Sequence, residues 1–210
     1  MIIAVDGPAA SGKGTISKAL ARHYGLPHLD TGLLYRAVAA SVLDHGLDPE
    51  VEADAVASCN FDDHLLADDR LKDDAIGKTA SIVSAHPLVR AALLQRQKRF
   101  AAQPGGAVLD GRDIGTVIAP DAPAKLFVKA TPMIRARRRH AELRGRGSTA
   151  SLDKVLADIR ARDERDSSRS SAPLKAADDA VLLDTSFLSI EASVQKAIQI
   201  VDTALRRHRL

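Results

Sequence analysis

Two spacings of apolar residues alternate along the chain. Short uninterrupted stretches, Ile2-Ile3-Ala4-Val5, Ala107-Val108-Leu109-Asp110, Lys125-Leu126-Phe127-Val128 and Ala180-Val181-Leu182-Leu183, have the length of buried strands. His28-Leu29 is a shorter strand that runs into Asp30-Thr31-Gly32. Between them, apolar positions recur every three or four residues, as one face of a helix requires. Ile16, Ala19, Leu20 and Tyr24 form such a face, ended by Gly25 and Pro27. Leu34, Ala37, Val38 and Val42 form the next, stopped at Gly46. Pro87 opens a helix carrying Leu88, Val89, Ala92 and Leu93, which ends before Pro104-Gly105-Gly106. Thr131-Pro132 caps another, broken by Gly145 and Gly147, and Ser151 starts a helix through Val155, Leu156 and Ile159. The last face runs from Ile190 through Val194, Ala197, Ile198 and Val201 to Leu205. Residues 48–84 are polar and Ala-rich and read as helical pieces joined by loops. Five short strands alternating with helices predict an α/β fold, a doubly wound five-stranded parallel sheet flanked by helices.

Composition narrows the class. The chain has 210 residues, which suits one α/β domain with small insertions. Aromatic residues make up 3% and Trp is absent, so base recognition is expected to lean on hydrogen bonds and charge more than on stacking. The net charge of +3 is too small for a nucleic-acid coat, although arginines are dense between Arg135 and Arg169. Cys59 is alone, which excludes an internal disulfide and fits a reducing compartment. The apolar run Met1 to Val5 is far too short to span a bilayer, and the sequence reads as a soluble cytoplasmic protein.

The chemistry begins at Gly7-Pro8-Ala9-Ala10-Ser11-Gly12-Lys13-Gly14-Thr15. A glycine-rich turn between a strand and a helix is the context of a phosphate-binding P-loop: main-chain N–H groups form a nest, the helix N-terminus adds partial positive charge, and Lys13 adds a full one. A nucleoside triphosphate, ATP, is the expected ligand. Lys13 would bridge its β- and γ-phosphates, and Thr15 would hold Mg²⁺ directly or through water. Asp110, at the carboxyl end of a core strand, stands where a doubly wound sheet places its ligand and would suit the same Mg²⁺; its competing reading is a helix N-cap. Thr31, Tyr35 and Arg36 follow a second strand end, and Arg112 and Asp113 a third; each pair of charges there is either a binding rim or a local contact. Arg135, Arg138, Arg139 and Glu142 share one helix face, and Arg162, Asp166 and Arg169 another. These are either solvated Arg–Asp pairs or a mobile lid that closes on phosphates and excludes water.

With those residues in view, the chain resembles the bacterial cytidylate kinases, a family of nucleoside monophosphate kinases. The matching stretches are Asp6 to Thr15, Leu29 to Arg36, Ser81 to Phe100, Asp110 to Ala122 and Ile159 to Leu174. Lys13-Gly14-Thr15, which departs from the strict P-loop ending, is what monophosphate kinases use. The resemblance implies phosphoryl transfer from ATP to CMP or dCMP, with Gly7 to Thr15 on the ATP phosphates. It places Arg36 and Arg112 on the CMP phosphate, with Thr31 and Tyr35 beside it. Ser81, Arg90 and Asp113 would read the cytosine, and Arg162, Asp166 and Arg169 would contact the sugar and phosphate, with Lys13, Arg112, Arg162 and Arg169 as the catalytic set. It divides the chain into a core (1–30, 104–131 and 170–210), a monophosphate-binding region (31–103) and a lid (132–169), working as a monomer on small molecules, with no nucleic acid or membrane partner. The stretch between Gly46 and Ser81 is shorter than in members that carry an inserted three-stranded sheet, so that sheet is expected to be truncated or absent. The rival readings are a kinase of another small acceptor, a nucleic-acid binder using the Arg135–Arg169 region, and a nucleotide-binding regulator without catalysis.

Overall fold

A computed structural model describes residues 1–208; the last two positions of the expected core segment 170–210 lie outside the described residues. Five parallel strands, β1 (Ile2–Asp6), β2 (His28–Asp30), β3 (Ala107–Gly111), β4 (Ala124–Lys129) and β5 (Val181–Asp184), form one sheet in the order β2-β3-β1-β4-β5. Every neighbouring pair is parallel, so each connection must cross over a face, and the helices supply those crossovers. The elements are α1 (Lys13–Tyr24), α2 (Thr31–Asp44), α3 (Glu52–Ala57), α4 (Asp74–Val83), α5 (Pro87–Ala101), α6 (Pro132–Gly145), α7 (Leu152–Ser168) and α8 (Ile190–His208).

One face of the sheet is covered by α1 and α8, which bury Ile16, Leu20, Ala197 and Val201 against Ile3, Val5, Leu126 and Val128. The other packs Ala4, Leu109, Ile114 and Ile118. β5 lies at the edge, and only Leu183 of it is buried, so the apolar run at this strand leaves Val181 and Leu182 exposed.

Helices α2 to α5 gather around Leu34, Val38, Val42, Leu71, Val83 and Leu93, while Ala101 at the end of α5 packs with the sheet. Two 3₁₀ turns, Asp63–Ala67 and Asp69–Lys72, connect α3 to α4, each opened by an aspartate side chain that accepts a main-chain N–H. Among the described residues this region holds no strand after β2, so no inserted sheet is formed there. Helices α6 and α7 pack on each other through Ala136, Leu143, Val155 and Ile159.

A π-helical turn at Ile114–Ile118 has no counterpart in the periodicity of the sequence. Asp6 at the end of β1 holds it: its two carboxylate oxygens accept from Ile114 N and Gly115 N, each at 2.8 Å. This turn fixes where the segment after β3 leaves the sheet, and therefore where Arg112 and Asp113 stand.

Candidate active site

Strand β1 delivers the chain to the carboxyl edge of the sheet, and residues 7–12 turn it into α1. At Gly7 a side chain is impossible, since a Cβ would lie 2.1 Å from the carbonyl oxygen of Val128. Gly12 caps α1 at φ 93°, with no side chain satisfying the first-turn N–H groups. Those donors remain open to an anion, as a phosphate site requires. Ala10 sits at φ 58°, a left-handed conformation that costs a non-glycine residue energy and is concentrated at functional loops. Ser11 Oγ is buried without a partner.

Lys13 projects from the first turn toward four charged groups. Burial pulls its pKa down to about 8, helped by the repulsion of Arg112 and Arg162 and opposed by Asp110 and Asp30. A desolvated ammonium with Arg112 and Arg162 close by gains from an added anion.

The two acids come from adjacent strands, where the register pairs Asp30 with Asp110. Asp30 caps α2, accepting from Gly32 N at 2.9 Å, and burial followed by the neighbouring Asp110 raises its pKa. Asp110 Oδ2 lies 2.7 Å from His28 Nε2, while its Oδ1 is buried and unpartnered. Among the described residues no three His, Cys, Asp or Glu side chains converge as a metal cage. The free Asp110 carboxylate oxygen has the chemistry that fits Mg²⁺, a hard ion that keeps most of its waters and takes the rest from phosphate.

Beyond Lys13 lies a cavity of about 40 Å³, large enough for a few waters and far too small for a nucleotide. Its walls come from three places in the sequence: Thr31, Gly32 and Tyr35 on α2, Gly111 to Asp113 after β3, and Arg162, Asp166 and Arg169 at the end of α7. Ala80, Ser84 and Arg90 close it from the helical region. Arg112 Nε donates to Asp166 Oδ2 at 2.8 Å, and Arg90 Nη2 to Asp113 Oδ2 at 2.5 Å. The guanidinium of Arg90 also lies 5.4 Å from the Tyr35 ring centroid. Arg162 Nε and Arg169 Nη2 are buried donors with no acceptor. Burial first, and then Arg112, pulls the Arg162 pKa down to about 9. Buried cationic donors left open in this way can receive an anion.

The structure thus brings Lys13, Thr31, Tyr35, Arg90, Arg112, Asp113, Arg162, Asp166 and Arg169 of the sequence-derived site to one place. Two expected residues are turned elsewhere. Arg36 Nη1 donates to the carbonyl oxygens of Leu71 and Asp73 at 2.5 and 3.3 Å, and packs on Gly77, where a side chain would collide with it. Ser81 Oγ accepts from Arg165 Nε at 3.2 Å, while Ser84, one turn on, reaches the cavity wall.

The sequence reading missed the ties that hold the P-loop itself. Arg135 Nη1 donates to Ala9 O at 3.2 Å and pairs with Asp163 at 2.9 and 2.5 Å. Arg138 Nη1 donates to Ser11 O at 3.2 Å, and Thr185 Oγ1 to the same oxygen at 2.8 Å. The two α6 arginines were visible as a helix face; that they would seek main-chain oxygens of the P-loop was not. Thr31 Oγ1 likewise donates to Asp110 O at 2.9 Å, locking the start of α2 to β3.

Comparison with known proteins agrees with this geometry. The family model described as Cytidylate kinase matches residues 3–203. A cytidylate kinase from Xanthobacter autotrophicus is 60% identical over 202 residues, covering 96% of this chain and 97% of the relative. Those of Rhodopseudomonas palustris (strain TIE-1) and Afipia carboxidovorans are each 59% identical, covering 96% and 97% of this chain and 96% and 98% of theirs. The fold alone is similar to a crystal structure of an uncharacterized protein from Eubacterium ventriosum (TM-score 0.55, 17% identity, 97% and 98% coverage). It is also similar to that of a sugar kinase from Janibacter sp. HTCC2649 (TM-score 0.51, 13% identity, 96% and 94% coverage). With the family model matched over nearly its full length, the chain belongs to the cytidylate kinase family.

Proposed function

We propose that the chain transfers the γ-phosphoryl group of ATP to CMP or dCMP, giving ADP and CDP or dCDP. The observation that carries this reading is the continuity of the two sites: Arg112 and Arg162 act on the P-loop ammonium of Lys13 and also wall the acceptor cavity. A phosphoryl group held at Lys13 would therefore face the acceptor without crossing open water.

The acceptor phosphate oxygen is already ionised, so no general base is needed; positioning and charge neutralisation suffice. Lys13 would follow the transferring group, while Arg112, Arg162 and Arg169 neutralise charge spread over its oxygens. Mg²⁺ bound by Asp110 and Thr15 would supply further neutralisation of the triphosphate. Asp113 would accept from the cytosine amino group, and Arg90 would donate to its ring acceptors. Uracil presents a carbonyl where cytosine has the amino group, which would set one acceptor against another at the buried carboxylate. Arg36 and Ser81 would have to exchange their present partners to join the monophosphate.

The same reading assigns 31–103 to monophosphate binding and 132–169 to a lid that parts to admit CMP and closes to exclude water. It also takes the protein as a monomer acting on small molecules in the cytoplasm, without nucleic acid or membrane partner. Among the described residues no helix is long and apolar enough to cross a membrane. ADP release measured against a panel of acceptors is the test. CMP and dCMP should be used at least tenfold more efficiently than UMP or AMP, and equal use of all four would overturn the acceptor assignment.

A further inference from the structure

The acceptor cavity lies on the β2–β3 side of the P-loop, since its walls follow those strands. The P-loop follows β1, the central strand. A triphosphate whose last phosphate faces the cavity must send its nucleoside the other way, across the carboxyl ends of β4 and β5. Those ends are tied together and to the P-loop. Thr131 N donates to Ser186 Oγ at 2.9 Å, and Thr185 Oγ1 to Ser11 O at 2.8 Å. Arg138 Nη2 donates to Thr185 O at 2.7 Å while its Nη1 holds Ser11 O. Thr185 and Ser186 are buried in consequence, and the next residue, Phe187, is pushed out to 93% exposure.

No other aromatic residue in the described chain stands in this way: Tyr24, Tyr35, Phe61, Phe100 and Phe127 are all buried or half-buried. A bare phenyl ring two residues from a P-loop contact, on the flank where the donor nucleoside must lie, has the properties of a stacking surface. We infer that Phe187 is the platform on which the base of the donor nucleoside triphosphate stacks. It makes the site favour purine donors, whose larger ring system covers more of the phenyl face.

This inference rests on the assignment of the P-loop as the donor site, and its test separates the two. ATP, CTP, CMP and inorganic tripolyphosphate would be titrated calorimetrically into the wild-type protein, Phe187→Ala and Phe187→Trp. Stacking predicts that Phe187→Ala weakens ATP by about fivefold or more, leaves CMP and tripolyphosphate unchanged, and narrows the preference for ATP over CTP. Phe187→Trp should restore ATP binding. Unchanged ATP affinity in Phe187→Ala overturns the inference, and so does an equal loss for tripolyphosphate, which would mean that the loop merely supports the P-loop. Because binding is read without turnover, Phe187-dependent ATP binding in a protein that phosphorylates no monophosphate would support the platform while removing the proposed reaction.

Discussion

Arg112 and Asp166, 54 residues apart in sequence, meet at 2.8 Å in the wall of the cavity proposed for the acceptor. Asp166 is also 4.0 Å from Arg162 and 3.9 Å from Arg169, so one buried carboxylate balances three guanidinium groups. Burial alone would raise its pKa, but Arg112 and Arg162 outweigh that and hold it below the usual carboxylate value. Asp166→Ala should cost about 3–5 kcal/mol, the range for breaking a buried pair and leaving its cations uncompensated. Urea unfolding would measure this, and added sulfate should recover part of the loss by occupying the same arginines. A variant as stable as the wild type would contradict the arrangement. Because the folded pKa is depressed, this stability is present above the ordinary aspartate pKa and is lost as pH falls through the lower, folded value.

In the proposed reaction Lys13 would supply the P-loop charge on the transferring group. Lys13→Met should lower kcat by about 10²–10³-fold, in keeping with loss of one preorganised electrostatic contact. Circular dichroism and the urea midpoint should remain near wild type, because the ammonium is itself disfavoured by burial and by Arg112. A turnover within a few fold of wild type would remove Lys13 from its proposed role.

Asp113 is held by Arg90 before any base is present. Asp113→Asn can donate where the carboxylate could only accept, so it should raise the KM for CMP and lower the preference for CMP over UMP by about 100-fold. The KM for ATP should not move. Parallel loss for both substrates would argue for a purely structural pair.

Asp6 gives a prediction about pH. Burial lifts its pKa to about 6, against the opposing hydrogen bonds from Gly115 and Ile114. A folded pKa above the unfolded one means that the native state holds the proton more tightly between pH 4 and 6, so the stability Asp6 provides declines as pH rises through that window. Asp6→Asn can satisfy only one of the two main-chain donors and should cost about 1–3 kcal/mol. The difference between wild type and variant should be larger at pH 4 than at pH 7 in urea titrations. A pH-independent difference would show that the carboxyl does not titrate there.

Much of the molecule was legible in the sequence. The apolar runs located β1, β3 and β4, because a strand buried on both faces must be nearly continuously apolar, while β5 carries the same run at an exposed edge and β2 is a short, half-buried strand. Gly7 to Thr15 could be read as a phosphate-binding turn because a glycine-rich stretch between a strand and a helix leaves main-chain N–H groups open, and that stretch does join β1 to α1. The helical reading of residues 48–84 also agrees with the structure. The π turn after β3 was invisible, since it depends on Asp6 more than a hundred residues away rather than on any local spacing.

What the sequence by itself determined was which residues carry charge and at which strand ends they emerge. Strand ends are set by local patterning, and a parallel sheet gathers them on one edge, so Lys13, Asp30, Asp110 and Arg112 had to be neighbours. Tertiary structure alone decided their partners. Asp110 meets His28, Asp113 meets Arg90, Arg36 turns to main-chain oxygens, and Arg138 clasps the P-loop rather than a solvated acid on its own helix. A buried charge takes the best partner within reach, and reach is a property of the packed fold that no spacing along the chain encodes.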